Sequence, residues 1–87
     1  MKELEKVLKA LANERRLKIL KILKKNSELS VGEVAEEIGL SFRSTSRHLN
    51  LLYRAGILEP VRKANLVEYQ IAKPAPAVLF KIFPFIL

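Results

Sequence analysis

The side chains best suited to chemistry in this 87-residue chain are cations and hydrogen-bonding groups, and they concentrate downstream of residue 40. Arg43 and Arg47 lie four positions apart, and no acidic residue occurs between Glu37 and Glu59 to neutralise them. Arginine bonds bidentately to guanine, and Ser and Asn side chains bond base edges or phosphates. These residue types therefore point to binding of a nucleic acid rather than to a reaction.

A helical wheel drawn over residues 42–55 separates an apolar face from a polar one. Thr45, Leu49, Leu52 and Tyr53 share the apolar face, which is expected to pack on neighbouring helices. The polar face begins at the capped N-terminal end of this helix. That is the end that a recognition helix points into the major groove. Including the first turn, His48 and a later hairpin, the candidate DNA-contacting residues are Ser41, Phe42, Arg43, Ser44, Ser46, Arg47, His48, Asn50, Arg54, Arg62 and Lys63.

Several of these basic side chains have alternative interpretations. His48, the only histidine, is expected to pack between helices or contact a phosphate rather than bind a metal. Arg62 and Lys63 fit either a DNA-contacting hairpin tip or an ordinary charged turn. Arg15 and Arg16 fit either phosphate contacts or ion pairs with nearby carboxylates.

Composition narrows the class of protein. Lys and Arg number 16 and acidic residues 9, all of them Glu, which gives a net charge of +7. Such a charge favours a polyanionic partner, nucleic acid first and an anionic membrane second. The chain has no Cys, no Asp and no Gly-rich phosphate loop, so neither a catalytic constellation nor a thiolate metal site can be built. A non-enzymatic binding module without a cofactor is expected.

The sequence also indicates the cellular location of the protein and the number of its domains. The first residues alternate charged and apolar types, unlike the apolar core of a signal peptide. No apolar run reaches the roughly 18–20 residues that span a bilayer, so a cytoplasmic protein is expected. The length suits one small domain.

Helical signals fill the first two thirds of the chain. Apolar residues at helical spacing predict a first helix that ends near Ala12 and a second that Asn13 caps and that ends at Asn26-Ser27. Ser30 and Glu33 fit a capping box, and Gly39 can end the third helix. Ser41 can cap a fourth helix over residues 42–55. Two helices joined by a short turn that contains Gly form a helix-turn-helix.

The hydrophobic period then changes from that of a helix to that of a strand. Ile57–Arg62 and Leu66–Ile71 are predicted strands joined by a turn, and Pro60 places the first at a sheet edge. The predicted fold is mainly α with a small β-hairpin (α+β), a winged helix-turn-helix. Residues 1–72 form the predicted DNA-binding domain and residues 73–87 an apolar dimerisation segment.

The segment 73–87 is unusually apolar and is predicted to be helical from Ala77 to Phe83. Apolar surface on this scale marks a partner site, and a second copy packing it against the first helix is the simplest partner. Membrane contact through its three Phe, helped by Lys73 and Lys81, is the alternative. The segment lacks the basic polar face of an interfacial helix, so no membrane partner is expected.

Three stretches carry a family resemblance. LANERRLKIL (residues 11–20), LSFRSTSRHL (40–49) and LLYRAGIL (51–58) resemble the opening, the recognition helix and the following segment of the ArsR family of winged-helix repressors. The resemblance implies a homodimer that binds double-stranded DNA and represses transcription, with Phe42, Arg43, Ser46 and Arg47 facing the DNA.

The resemblance does not extend to metal sensing. ELSVGEV (residues 28–34) resembles the family's metal box, but Ser30 and Gly32 stand where its two Cys would be, and neither supplies a thiolate. Residues 73–87 contain no His, Asp or Glu for the family's other metal site. Phe42 also departs from the family, which prefers a polar residue at this position.

The sequence therefore predicts a homodimeric, sequence-specific transcriptional repressor whose helix over residues 42–55 enters the major groove. The alternative is a winged helix that contacts other proteins within a transcription or replication complex. Such a module would not bind free DNA.

Overall fold

Five helices and a three-stranded sheet are present in residues 1–86, the part of the chain that the computed structural model describes. The helices are α1 (Lys2–Leu11), α2 (Glu14–Asn26), α3 (Val31–Ile38), α4 (Phe42–Arg54) and α5 (Val78–Ile86). The strands are β1 (Leu29–Ser30), β2 (Leu58–Arg62) and β3 (Val67–Ile71). Their order confirms the predicted winged helix-turn-helix.

Local capping sets the helix-turn-helix. The Ser30 hydroxyl accepts from the Glu33 amide at 3.2 Å, and the Glu33 carboxylate accepts from the Ser30 amide at 2.9 Å, so the predicted capping box is present. Gly39 ends α3 with φ 69°, a left-handed conformation that costs glycine little. Ser41 caps α4 by accepting from the Ser44 amide at 3.0 Å. The turn between α3 and α4 is thus encoded locally.

The sheet is larger than predicted, because the sequence indicated only a hairpin. β2 and β3 pair antiparallel with Pro60 opposite Tyr69, and the strand order β1-β3-β2 leaves Pro60 on an edge strand as expected. The missed strand, β1, is two residues long and places Leu29 opposite Tyr69. Two residues cannot show a period of two, and their partner lies 40 positions away.

The core confirms most of the predicted apolar face of α4. Thr45, Leu49 and Leu52 are fully buried, and the Thr45 hydroxyl donates to the Ser41 carbonyl oxygen at 2.8 Å. The prediction for Tyr53 was wrong, because its side chain is 48% exposed. The other fully buried core side chains include Ile19, Leu20, Leu23, Val34 and Ile57.

The last helix is longer than the predicted segment 77–83 and contains Pro84 within it. Leu79 and Phe83 are buried, and the Lys24 ammonium lies 5.1 Å from the Phe83 ring centre. One side of α5 therefore completes the core of its own chain. Phe80 and Phe85 are exposed, although the Phe80 ring packs edge-on against Phe83. The predicted dimerisation segment 73–87 includes residue 87, which lies outside the described residues. Within residues 1–86 no helix is long and apolar enough to cross a bilayer.

Candidate nucleic-acid interface

The first turn of α4 is fixed by two hydrogen bonds to Ser41, and its outer side chains are exposed. Ser41 caps it through the bond to Ser44, while Thr45 ties the following turn back to the Ser41 carbonyl. Phe42 and Arg43 project from this turn, and the Phe42 ring is 63% exposed. The two bonds fix the start of the helix, so exposed side chains there have defined positions.

One exposed face of α4 gathers four of the predicted contact residues. Arg43, Ser46, Arg47 and Asn50 are all exposed and spaced by three or four positions, which aligns them along roughly 10 Å of helix. Within residues 1–86 no carboxylate lies within ion-pairing distance of either arginine. We call these four residues the basic face. It presents five-donor guanidinium groups and short polar side chains to an incoming ligand.

Arg54 is not brought together with the basic face. It lies at the last turn of α4, roughly 16 Å along the helix from Arg43. There it borders a recess formed with α1 and with the start of α5. Its position is beside the apolar surface of α1 rather than at the start of α4.

The hairpin tip separates the two cations predicted there. Lys63 Nζ lies 3.2 Å from a Glu28 carboxylate oxygen and 3.9 Å from one of Glu68, so its charge is already balanced. Arg62 is exposed and, within residues 1–86, makes no ion pair. Of the two, Arg62 is the side chain that is open to a phosphate.

His48 lies half-buried on the inner edge of α4, against α2. The Arg16 guanidinium Nη1 is 3.3 Å from His48 Nδ1, while Nη2 and Nε donate to the carbonyl oxygens of Lys9 and Ala10. The pKa of His48 is lowered from 6.5, first by burial and then by the nearby charges of Arg16 and Arg15. Within residues 1–86 Arg16 makes neither of the ion pairs that the sequence suggested for it, because its guanidinium group contacts these two carbonyl oxygens and His48.

The sequence does not predict this pair, because its members are 32 positions apart and neither residue type indicates the other.

The residues at the two Cys positions of the family's metal box cannot supply a thiolate ligand, and the structure shows what they do instead. The Ser30 hydroxyl is engaged in the capping box, and Gly32 brings no side chain. Within residues 1–86 no three His, Cys, Asp or Glu side chains are grouped as metal ligands would be.

Comparison with known proteins shows to which class of DNA-binding protein the chain is similar. Residues 12–59 match the family model described as winged helix-turn-helix DNA-binding. The transcriptional activator HlyU of Vibrio cholerae is 46% identical over 66 residues, which cover 76% of this chain and 60% of HlyU. The transcriptional repressor SdpR of Bacillus subtilis is 35% identical over 65 residues, covering 75% of this chain and 71% of SdpR.

A solved structure of another protein has the same winged helix-turn-helix fold. The homodimeric winged helix-turn-helix DNA-binding domain of a possible ArsR-family regulator from Mycobacterium bovis superposes with a TM-score of 0.85 at 33% identity. The match covers 98% of this chain and 78% of that one. Fold and basic face thus define a winged helix-turn-helix protein of the DNA-binding class. The chain belongs to the ArsR family of transcriptional regulators.

Proposed function

We propose that this chain is a sequence-specific regulator of transcription that binds double-stranded DNA as a homodimer, with α4 in the major groove. The observation that carries the proposal is the basic face. Arg43 and Arg47 are like charges one turn apart, exposed and without a carboxylate partner among residues 1–86. Such a pair is mildly destabilising in water and is relieved by a polyanion.

The side chains divide by the groups that they can reach. Arg43, Ser46, Arg47 and Asn50 suit base edges in the major groove, where Arg reads guanine and Asn reads adenine. Ser41, Ser44 and the first amides of α4 suit a phosphate at the helix N-terminus. Phe42 suits contact with a thymine methyl group.

The remaining predicted residues take peripheral places in the proposed complex with DNA. Arg62 would contact the sugar-phosphate backbone from the hairpin tip, whereas Lys63 would be held back by Glu28 and Glu68. His48 is close enough to the basic face to influence it from behind. Arg54 would lie at the far end of α4, toward the second subunit.

The dimer would form through α1 and α5. Leu4 and Leu8 on α1 are 43% and 48% exposed, and Phe80 and Phe85 on α5 are 60% and 85% exposed. Exposed apolar surface of this kind is typical of a two-fold interface. The homodimeric M. bovis domain supports it. Residues 1–72 would then bind DNA, while residues 73–87 serve both the core and the dimer.

Regulation by such a dimer needs no catalysis and no cofactor, and it would take place in the cytoplasm beside the genome. We propose repression, by occupation of a site that polymerase requires. The named relatives include one activator and one repressor, so transcription in vitro from a promoter that carries the bound site decides the sign.

The test of DNA binding is selection of genomic fragments by the purified chain. Enriched fragments are expected to share a two-fold symmetric site whose halves lie roughly 34 Å apart, one DNA turn. The double variant Arg43→Ala/Arg47→Ala should lose this enrichment. Lys25→Ala, which removes a charge from the last turn of α2, should keep it.

The opposite outcome is equally definite. A folded chain that enriches no fragment and shifts no DNA would contradict the proposal. It would favour the protein-contacting winged helix of a transcription or replication complex.

A further inference from the structure

One guanidinium group joins three elements of this fold. Arg16 lies in the first turn of α2, where Asn13 caps its amide at 3.1 Å. Its side chain donates to the carbonyl oxygens of Lys9 and Ala10 at the end of α1. Its third branch, Nη1, lies 3.3 Å from Nδ1 of His48 on α4. No other side chain within residues 1–86 bonds both to the end of α1 and to α4.

The geometry fixes the chemical state of the imidazole. A guanidinium has five N–H donors and no acceptor, so a hydrogen bond between Nη1 and Nδ1 requires Nδ1 to accept. The ring is then neutral and carries its proton on Nε2. Protonation would place an N–H against Nη1 and replace the bond with a repulsion between two cations.

We propose that Arg16 is a positioning residue for DNA binding, which holds the recognition helix α4 to the end of α1 through neutral His48. The inference rests on the proposed function, and it adds a residue that does not touch DNA. Because α1 belongs to the proposed dimer interface, Arg16 links that interface to the spacing of the two recognition helices.

The surroundings of His48 favour the neutral ring. Arg16 and Arg15 of α2 are the charged groups that act on it, and both disfavour protonation, in addition to burial. The other elements packed against α4 also carry charges, none of which is among those that shift the ring. These are Lys2, Glu3, Glu5, Lys6 and Lys9 on α1, Glu33, Glu36 and Glu37 on α3, and Glu59 and Arg62 on β2.

A measurement without DNA tests the pair first. His48 is the only histidine, so its ring nitrogens give one set of signals in a long-range proton–nitrogen NMR correlation. The wild type should show the tautomer protonated at Nε2 and a midpoint below 6.5. Arg16→Gln should raise the midpoint and mix the tautomers. Arg15→Gln, which removes a neighbouring charge but no bond, should keep the tautomer.

The second measurement is affinity for the selected DNA site as the pH is lowered from about 8 through the midpoint that the NMR titration gives for His48. Wild-type affinity should fall as the ring takes up its proton. His48→Gln cannot titrate, so its affinity should stay constant over the pH range in which that of the wild type falls. His48→Ala should lose about three- to tenfold in affinity, the range of one net hydrogen bond.

Either of two results overturns the inference. One is a tautomer protonated at Nδ1 in the free wild type. The other is an affinity that rises as pH falls, which would mean that His48⁺ itself contacts a phosphate. If no variant binds DNA but the NMR signature is present, the proposed function fails and the Arg16–His48 pair stands as a structural link only. A circular dichroism spectrum for each variant shows that it is folded.

Discussion

Arg43 and Arg47 repel each other across one helical turn, and the chain keeps both in water rather than pairing them. In this environment a guanidinium retains its full donor capacity, because no protein acceptor competes for it. Their side chains are long and mobile until bound, so the affinity gained is reduced by the cost of ordering them. The capped first turn of α4 limits that cost to the side chains.

Arg47→Ala tests whether this donor capacity reads bases. On the selected site the variant should lose about 1–3 kcal/mol of binding free energy, the value of a bidentate contact to guanine, with little change on random DNA. Lys25→Ala is the matched loss of charge. An equal loss on both DNAs would show that Arg47 contacts a phosphate, and no loss on either would remove Arg47 from the interface.

The neutral ring of His48 also makes stability depend on pH. Its folded pKa is below 6.5, so the unfolded chain binds more protons in the window between the folded pKa and 6.5. The contribution to stability is fully present above pH 6.5 and is lost as pH falls through the folded pKa. Urea unfolding of the wild type and His48→Gln should show this slope in the wild type only. Identical slopes would contradict it.

At this scale the sequence predicts exposure of the basic face correctly but not the partners of individual side chains. Tyr53 shares a helical face with Leu49 and Leu52, yet no element covers it and it stays half exposed. Lys63 has a second carboxylate beside that of Glu68 because pairing of β1 with β3 brings Glu28, the residue before β1, to the hairpin. Such contacts depend on residues far apart in the chain, and no local pattern contains them.

Elements with local signals behave differently. The capping box of α3 and the glycine after it can be predicted because each signal lies within four residues of the backbone group that it satisfies. β1 is invisible since its pairing with β3 is entirely non-local. The predicted helix ends at Phe83, one residue before Pro84, whereas α5 continues through Pro84 to Ile86.

Two glycines at the ends of α3 give a paired test of backbone conformation. Gly32 lies inside the helix, and a Cβ there would meet only the Ser30 hydroxyl oxygen, at 4.0 Å. Gly32→Ala should therefore raise the free energy of unfolding by about 0.4–1 kcal/mol, because the unfolded chain loses freedom. Gly39→Ala should lower it, since φ there is 69°. Denaturant unfolding measures both, and stabilisation by Gly39→Ala would contradict the assigned C-cap.

For the whole molecule, the proposed dimer interface of α1 and α5 can be tested at one exposed side chain. Leu8→Glu places a charge on a side chain that is 48% exposed in the single chain, so the fold should tolerate it while the dimer should not. Sedimentation should show that the Leu8→Glu variant is a monomer. A binding assay should show that its affinity for the two-fold site is greatly weakened. Leu66→Glu is the control, because Leu66 is equally apolar, 47% exposed and near the hairpin tip. A dimeric Leu8→Glu variant would exclude α1 from the interface.

The net charge of +7 per chain has its own consequence once two chains bind together. On the surface proposed to face DNA, each chain offers three exposed arginines without ion pairs among residues 1–86, Arg43, Arg47 and Arg62, so a dimer offers six. A cation bound in the groove displaces counterions whether it bonds a base edge or a phosphate, so six such cations neutralise about six phosphate charges and give a slope of log affinity against log salt near −5. Affinity should thus fall about 10³-fold between about 50 and 200 mM salt.

Charge variants show which part of that slope belongs to the hairpin. Arg62→Gln removes two cations per dimer and should make the slope less steep by as much as about 2, whereas Lys63→Gln should change it less because Glu28 and Glu68 already balance Lys63. Filter binding at several salt concentrations gives both slopes. A wild-type affinity that does not depend on salt would mean that the basic face does not meet the phosphate backbone. An equal effect of both variants would mean that Lys63 leaves its carboxylates when DNA binds.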